Sequence, residues 1–379
     1  MKFIRDYCQK MRLNGYLNFL LVLCLALEVS GCSLRAQPER LVWEFDATRD
    51  VDSSPVVVGG RVYVGSDNKK LHCLDAKTGD LFWEFSAKGV IRSSPVVVHD
   101  RLYVGSHDKK IYCLNAKTGD RVWEFETNGT IISSPAVSNE RVYIGSYDKS
   151  IHCLNATAGT QVWEFKTQGF VASTPALANN HVYVGSFDNA MYCLDAQTGA
   201  KVWEFRTGNA IASSPAVSGN RVYFGSLDNK IYCLNAKTGA KVWEFDTKER
   251  VWASPTVSGN AVYIGSRNYV MYCLDAQTGK KLWEFKTGYY IVGSPVLTGN
   301  YLYFGSWDNK LYCLDAKTGS KLWDLRMLGS KSSPAVCGGY LYVGGDDHKL
   351  HCLKVEEGDT GCWPMFKYNP ERTSTVNTG

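Results

Sequence analysis

The sequence has no adjacent cysteine pair and no C-x-x-C, although thirteen of its 379 residues are cysteine. Redox dithiols and the commonest zinc frameworks use those spacings, so neither is supported. G-x-S-x-G, H-E-x-x-H and a phosphate-cradling glycine loop are also missing, which removes the signatures of nucleophile-elbow hydrolases, zinc peptidases and P-loop enzymes. No apolar run reaches the ~18–20 residues that a membrane-spanning helix needs. Charge of one sign is not in large excess: 42 Lys and Arg face 37 Asp and Glu, a formal net charge of +5. That is too mild to argue for nucleic acid. The long middle of the chain shows no helical periodicity of apolar positions.

What is present is repetition. "IYCLNAKTGDRVWEF" at 111 returns as "LHCLDAKTGDLFWEF" at 71, "IHCLNATAGTQVWEF" at 151 and "MYCLDAQTGAKVWEF" at 191. It returns again as "IYCLNAKTGAKVWEF" at 231, "MYCLDAQTGKKLWEF" at 271 and "LYCLDAKTGSKLWDL" at 311, then decays to "LHCLKVEEGDTGCW" at 350. The prolines keep the same beat of forty from Pro55 to Pro295, and Pro334 arrives one residue early. A fixed period in this range signals an array of like units, so one repeat domain replaces the domain count that length alone suggests.

Each period reads as four short strands: "SSPAVS" with its proline near the start, "RVYVGS", "KIYCLN" and "RVWEF". Turn signals separate them: "SGN" or "GG", then "S-x-D-N/K", then "DAKTG". The expected fold is all-β, an eight-bladed β-propeller of four-stranded antiparallel blades. Nine periodic tryptophans, Trp43 to Trp363, bound eight units, so one terminal segment must complete the last blade. "LVWEF" (41–45) fits the repeat better than "CWPMF" (362–366), whose Pro364 belongs at an edge. The ring is therefore expected to close by joining the N- and C-terminal strands.

At "[DN]-A-x-T-G-x-x-x-W" (Asp75, Ala76, Thr78, Gly79 and Trp83 in the first copy) the repeat resembles the tryptophan-docking motif of pyrroloquinoline-quinone-type (PQQ-type) propellers. Seven copies carry it in full or nearly so; the third has Ala158 for threonine and the eighth is degraded. WD repeats have a similar period, but their Gly-His signal is missing and Trp-Asp occurs only at Trp323–Asp324. The resemblance covers roughly residues 41 to 365. It speaks to fold more than to function.

Trp43, Trp83, Trp123, Trp163, Trp203, Trp243, Trp283 and Trp323 recur too regularly for a single ligand site. Docking each indole on the neighbouring blade is the expected role. Cys73, Cys113, Cys153, Cys193, Cys233, Cys273, Cys313 and Cys352 keep the same beat. Neighbouring copies should exceed the ~7 Å Cα separation a disulfide tolerates, so buried free thiols are expected. His72, His152 and His351 each adjoin a cysteine, but neighbours on a strand face opposite ways, and "HKLH" at 348 fails similarly. No metal site is expected. The "WEF" glutamates, with basic residues two or three places before them, suit weak surface ion pairs. Asp108 and Asp148 suit caps for their own turns.

Differences between the copies point elsewhere. In a four-stranded meander the A–B and C–D turns share one face, and the B–C and D–A connections share the other. The C–D turn is monotonous. The residue after each "GS" instead runs Asp67, His107, Tyr147, Phe187, Leu227, Arg267, Trp307. The D–A segments vary too: "KGVIR", "NGTII", "QGFVA", "GNAIA", "KERVWA", "GYYIVG". Arg92, His107, Tyr147, Phe170, Phe187, Arg250, Trp252, Arg267, Tyr289, Tyr290 and Trp307 form the candidate binding face, rich in the residue types of interface hot spots. Drift on solvent-facing turns is the alternative.

Ahead of the repeats, Arg12 and a predominantly apolar stretch from Leu17 to Leu27 read as a signal peptide, with Met11 an alternative start. "VSGC", Val29 to Cys32, resembles a bacterial lipobox, which implies lipidation at Cys32. The expected division is 1–31 leader, 32–40 tether, 41–366 propeller and 367–379 tail. An exported, membrane-anchored monomer with protein partners at the cell envelope follows from that reading. Ser33 after the cysteine is compatible with outer-membrane sorting, by family resemblance.

Within the repeat class, two functions compete. Lipoproteins of the BamB type support outer-membrane β-barrel assembly, which implies a scaffold binding proteins without catalysis. PQQ-dependent dehydrogenases hold the quinone and calcium centrally, with carboxylate and amide ligands, an aspartate base and, in one branch, a vicinal disulfide. No vicinal cysteines occur here, and no residue matches the base or a calcium ligand. The expectation is a non-enzymatic protein without a cofactor. The alternatives are a quinoprotein dehydrogenase, or a propeller binding a small ligand or glycan.

Overall fold

The computed structural model describes residues 40–327 and 331–355, which form eight four-stranded antiparallel sheets in a ring, with no helix among the described residues. Blade one runs through strands A (Val56–Val58), B (Arg61–Gly65), C (Lys70–Asp75) and D (Leu81–Ser86). The pattern continues to blade seven, which ends at Lys321–Arg326. Blade eight takes strands A to C from Ala335–Cys337, Tyr340–Gly344 and Lys349–Lys354, and strand D from Leu41–Asp46 at the other end of the repeats. There Trp43 pairs with Cys352 and Phe45 with Leu350. "LVWEF" thus closes the ring, while the leader, Cys32, "CWPMF" and the tail lie outside the described residues.

The register explains the motif. In blade five, Tyr223 on strand B faces Cys233 on C, which faces Trp243 on D. Trp243 Nε1–H and the Tyr223 hydroxyl both donate to the carbonyl of Ala276 in blade six, at 3.0 and 3.2 Å. One carbonyl has two lone pairs, and this interface uses both. The same two-donor contact closes the ring, where Trp43 and Tyr342 donate to Ala76 at 3.2 and 2.9 Å. Asp75 Oδ1 accepts the amides of Lys77 and Thr78 at 2.7 and 2.9 Å, shaping the turn that presents that carbonyl. Gly79 then adopts φ +79°, and a Cβ there would lie 2.7 Å from the Trp43 ring. Glycine is required both for the backbone and for the indole.

The "SSP" triplets build a second belt. Each second hydroxyl accepts the amide of its counterpart in the preceding blade: Ser54 to Ser94, Ser94 to Ser134, Ser134 to Thr174, Thr174 to Ser214. The series continues from Ser214 to Ser254, Ser294 and Ser333, and the Ser333 amide donates back to Ser54. All these groups are buried, so the belt satisfies donors that would otherwise be stranded. The first serine also accepts within its blade: Ser93 Oγ accepts Gly105 N–H at 3.1 Å, and Ser133, Ser173, Ser213 and Ser332 repeat this. The Ser53 and Ser133 hydroxyls donate to the Ser93 and Ser173 carbonyls in the next blade. Ala253 and Gly293 interrupt that series in blades six and seven.

The eight periodic cysteines are free and buried. Burial pushes the Cys153 and Cys193 thiols up to about 12, so they stay protonated and poorly nucleophilic. Cys337 differs: it is disulfide-bonded. The strand glutamates make the ion pairs the sequence suggests, as in Lys110–Glu124 at 2.5 Å and Lys201–Glu204 at 2.7 Å. His152 lies between Asp148 (3.0 Å) and Gln161 (3.1 Å), and His351 between Asp347 (2.9 Å) and Glu44 (3.1 Å). No group of three or more His, Cys, Asp or Glu among the described residues is arranged to hold a metal.

Candidate binding face

In blades one to seven, one backbone bond locks the B–C turn to the D–A segment beside it. The amide after "GS" donates to a D–A carbonyl: Asp67 to Asp50, His107 to Val90, Tyr147 to Thr130, Phe187 to Phe170. Leu227 to Ala210, Arg267 to Arg250 and Trp307 to Tyr290 complete the series, all at 2.9–3.0 Å. An aspartate in six of the turns, replaced by Asn68 and Asn268 in blades one and six, secures this geometry. Asp228 Oδ1 accepts Lys230 N–H at 3.2 Å, while Oδ2 accepts Gly208 N–H and the Tyr232 hydroxyl, both at 2.8 Å. It caps its own turn, and also ties down the D–A segment and strand C. With the backbone held this way, the paired side chains are free to differ.

The pairs sort by chemistry around the ring. At blades eight and one the sector is charged. Arg92 donates to Asp67 at 2.6 and 3.0 Å and lies 3.4 Å from Asp52; Lys331 lies 3.3 Å from Asp52 and 3.6 Å from Asp346. His348 Nδ1 is 2.8 Å from Asp50. Burial raises the Asp52 carboxyl above its usual range, with Lys331 and Arg92 pulling the other way. Burial also lowers the His107 imidazole, and the Arg92 charge adds to that. Arg92 is thus engaged inside the cluster.

Blades three to five carry an apolar arc. Tyr147 stacks on Phe170 with ring centroids 4.8 Å apart and planes 9° apart. Phe170 is exposed, Phe187 is half-buried, and Leu227 is buried. Blades six and seven are basic and aromatic. The Arg267 guanidinium sits 4.3 Å over the Tyr290 ring, Tyr269 stacks on Tyr289 at 5.4 Å, and Tyr290 meets Trp307 edge-on at 6.0 Å. Tyr289 and Trp307 are 40% and 36% exposed. Arg250 is exposed, while Trp252 is half-buried with an indole N–H that meets no acceptor.

The face contains residues that the sequence reading passed over: Asp50, Asp52, Lys331, Asp346 and Tyr269. Aligning the column two residues before each "SP" would have shown Asp52, Arg92 and Lys331 as charged members among Ile132, Ala172, Ala212 and Val292. Tyr269 stands in the same way where other copies have lysine, asparagine or, in blade eight, His348.

The family model described as outer membrane protein assembly factor BamB matches residues 33–135, 128–212, 191–325 and 286–361. The chain belongs to this family. Among solved structures, BamB from Moraxella catarrhalis aligns over 84% of this chain and 100% of its own, at 21% identity and TM-score 0.72. The computationally designed Ika8 protein aligns over 84% and 100% respectively, at 17% identity and TM-score 0.76. A quinohemoprotein alcohol dehydrogenase from Pseudomonas putida HK5 aligns over 84% of this chain and 77% of its own, at 16% identity and TM-score 0.72. At such identities these likenesses show the propeller fold alone. No curated protein sequence matches the chain.

Proposed function

We propose that this BamB-family propeller is a non-enzymatic scaffold. In this reading it is exported, anchored through a lipidated Cys32, and binds protein partners at the cell envelope with the face built from the B–C and D–A connections. The observation that carries the reading is the sorting of paired positions into charged, apolar and basic-aromatic sectors on that face. The C–D turns meanwhile stay nearly identical. Aromatic and arginine anchors over an apolar arc suit a protein surface.

The dehydrogenase reading finds less support. Asp52, an acid of the charged sector, is already gripped by Arg92 and Lys331. The described residues offer no cluster of acids and histidines for calcium. Two measurements divide the readings. Full-length protein crosslinked in native membranes should trap a defined partner, and Tyr289→Ala/Trp307→Ala should abolish the adduct while Lys237→Ala in a C–D turn leaves it intact. Equal trapping by all three, or dye reduction on adding PQQ and calcium, would sink the scaffold reading.

A further inference from the structure

The structure holds an unpaired double-arginine site in the basic-aromatic sector. A pocket of about 420 Å³ lies between blades five, six and seven, lined by Glu249, Arg250, Arg267, Asn268, Tyr269 and Tyr290. That volume falls in the ~300–1,000 Å³ range of ligand pockets. Arg250 and Arg267 are joined through their backbones at 3.0 Å, so two cations occupy one place on the face. Neither has a carboxylate within ion-pair distance among the described residues. The contrast with the charged sector is direct, since Arg92 there contacts Asp67 and Asp52, and Lys331 contacts the same Asp52 and Asp346. Glu249 also lines the pocket but forms an ion pair with neither arginine; the two like charges repel one another, and an anion between them relieves that.

Three further features mark this pocket. The Arg267 guanidinium carbon lies 4.3 Å from the Tyr290 ring centroid, a contact that restrains its planar fork at the pocket wall. Tyr269 adopts φ +74°, a left-handed conformation that bulky side chains disfavour and that lysine, asparagine or, in blade eight, His348 fills in the other copies. The in-blade serine is replaced by Ala253 and Gly293 in the two blades beside it and nowhere else in the series. Both exceptions, Tyr269 and the missing serines, thus fall in or next to blade six.

The geometry points to a carboxylate-binding subsite that takes an acidic side chain from an extended segment of a protein partner, with an aromatic or apolar neighbour resting on Tyr289 and Trp307. Arg250 and Arg267 supply the counter-charge, and Tyr269 and Tyr290 form the walls. A peptide is favoured over a free ion because the pocket opens beside these two exposed rings, a surface larger than a small anion covers. This inference rests on the scaffold reading.

The test uses the full chain and two labelled, capped peptides, Gly-Asp-Tyr-Glu-Gly and its amide twin Gly-Asn-Tyr-Gln-Gly, followed by fluorescence anisotropy. The acidic peptide should bind at least ~10-fold tighter than the amide twin. Arg250→Gln/Arg267→Gln should remove that difference without changing the melting transition, and Arg267→Lys should keep only part of it. Equal binding of the two peptides, or an unchanged preference in the double variant, overturns the assignment. Displacement of the peptide by inorganic phosphate at equal concentration overturns the peptide as occupant. The membrane crosslink separates the two levels. If the double-arginine variant still traps the partner while Tyr289→Ala/Trp307→Ala does not, the scaffold stands and the carboxylate subsite falls.

Discussion

The two faces of the ring are made by the same eight units, yet they obey different rules. On the C–D face the docking residues are committed to the next blade: Trp203 and Tyr183 donate to Ala236, and Gly239 leaves room for the Trp203 ring. A change there breaks an interface, so the copies stay alike. On the other face Asp228 and its equivalents hold the backbone, and the neighbouring side chain carries no structural duty. Leu227, Arg267 and Trp307 occupy one position on one scaffold. Variation is tolerated where the backbone is held by something else.

That contrast can be broken most strongly on the docking face. Trp203→Ala should cost about 3–5 kcal/mol in urea unfolding, through lost burial and a cavity between blades four and five. Gly239→Ala should also destabilise strongly, because its φ of +72° and the indole 2.7 Å away both exclude a Cβ. Tolerance of either change would mean that the blades are not held by this contact.

A pH comparison sharpens the middle ground, where the turns meet strand C. His72 accepts a hydrogen bond from Asn68, and burial holds its pKa down to about 4. The unfolded ring titrates near ~6.5, so the unfolded chain binds the proton first. Stability from this group is therefore present above about 6.5 and is lost as pH falls through about 4, a loss on the order of 1–3 kcal/mol. At the equivalent site burial also disfavours charge on His152, but Asp148 outweighs it and the pKa is raised. Asn68→Asp should accordingly reverse the sign at His72, giving a contribution present at low pH and lost as pH rises. Unfolding midpoints at pH 4.5 and 7.5 for both proteins decide this; parallel shifts would show that Asn68 does not set the difference.

The smallest effect belongs to the diversified face. Arg250→Gln and Tyr289→Ala should each change stability by no more than about 0.5 kcal/mol, whatever they do to binding. A large loss would make those residues structural and erase the distinction between the faces.

Much of this was legible in the chain. The period, the four strands per unit, the closure by "LVWEF" and the identity of the variable face all follow from spacing, because a fixed repeat with alternating strands has few ways to bury itself. The "SSP" belt was not legible in that way. Its serines read as the start of a strand, and only the ring brings Ser333 to Ser54. Arg92 meets the same limit: the sequence places it on the candidate face, and only the ring brings Asp67 and Asp52 beside it.

Periodicity by itself therefore determined the units and which positions could vary, since both depend on residues close in sequence. The tertiary structure alone decided which varied residues meet. Asp52 and Lys331 lie at opposite ends of the repeat array and touch at 3.3 Å only because the ring closes. Arg250, Arg267 and Tyr290 share one pocket because blades five to seven are set side by side, with their backbones holding the three side chains at a common mouth.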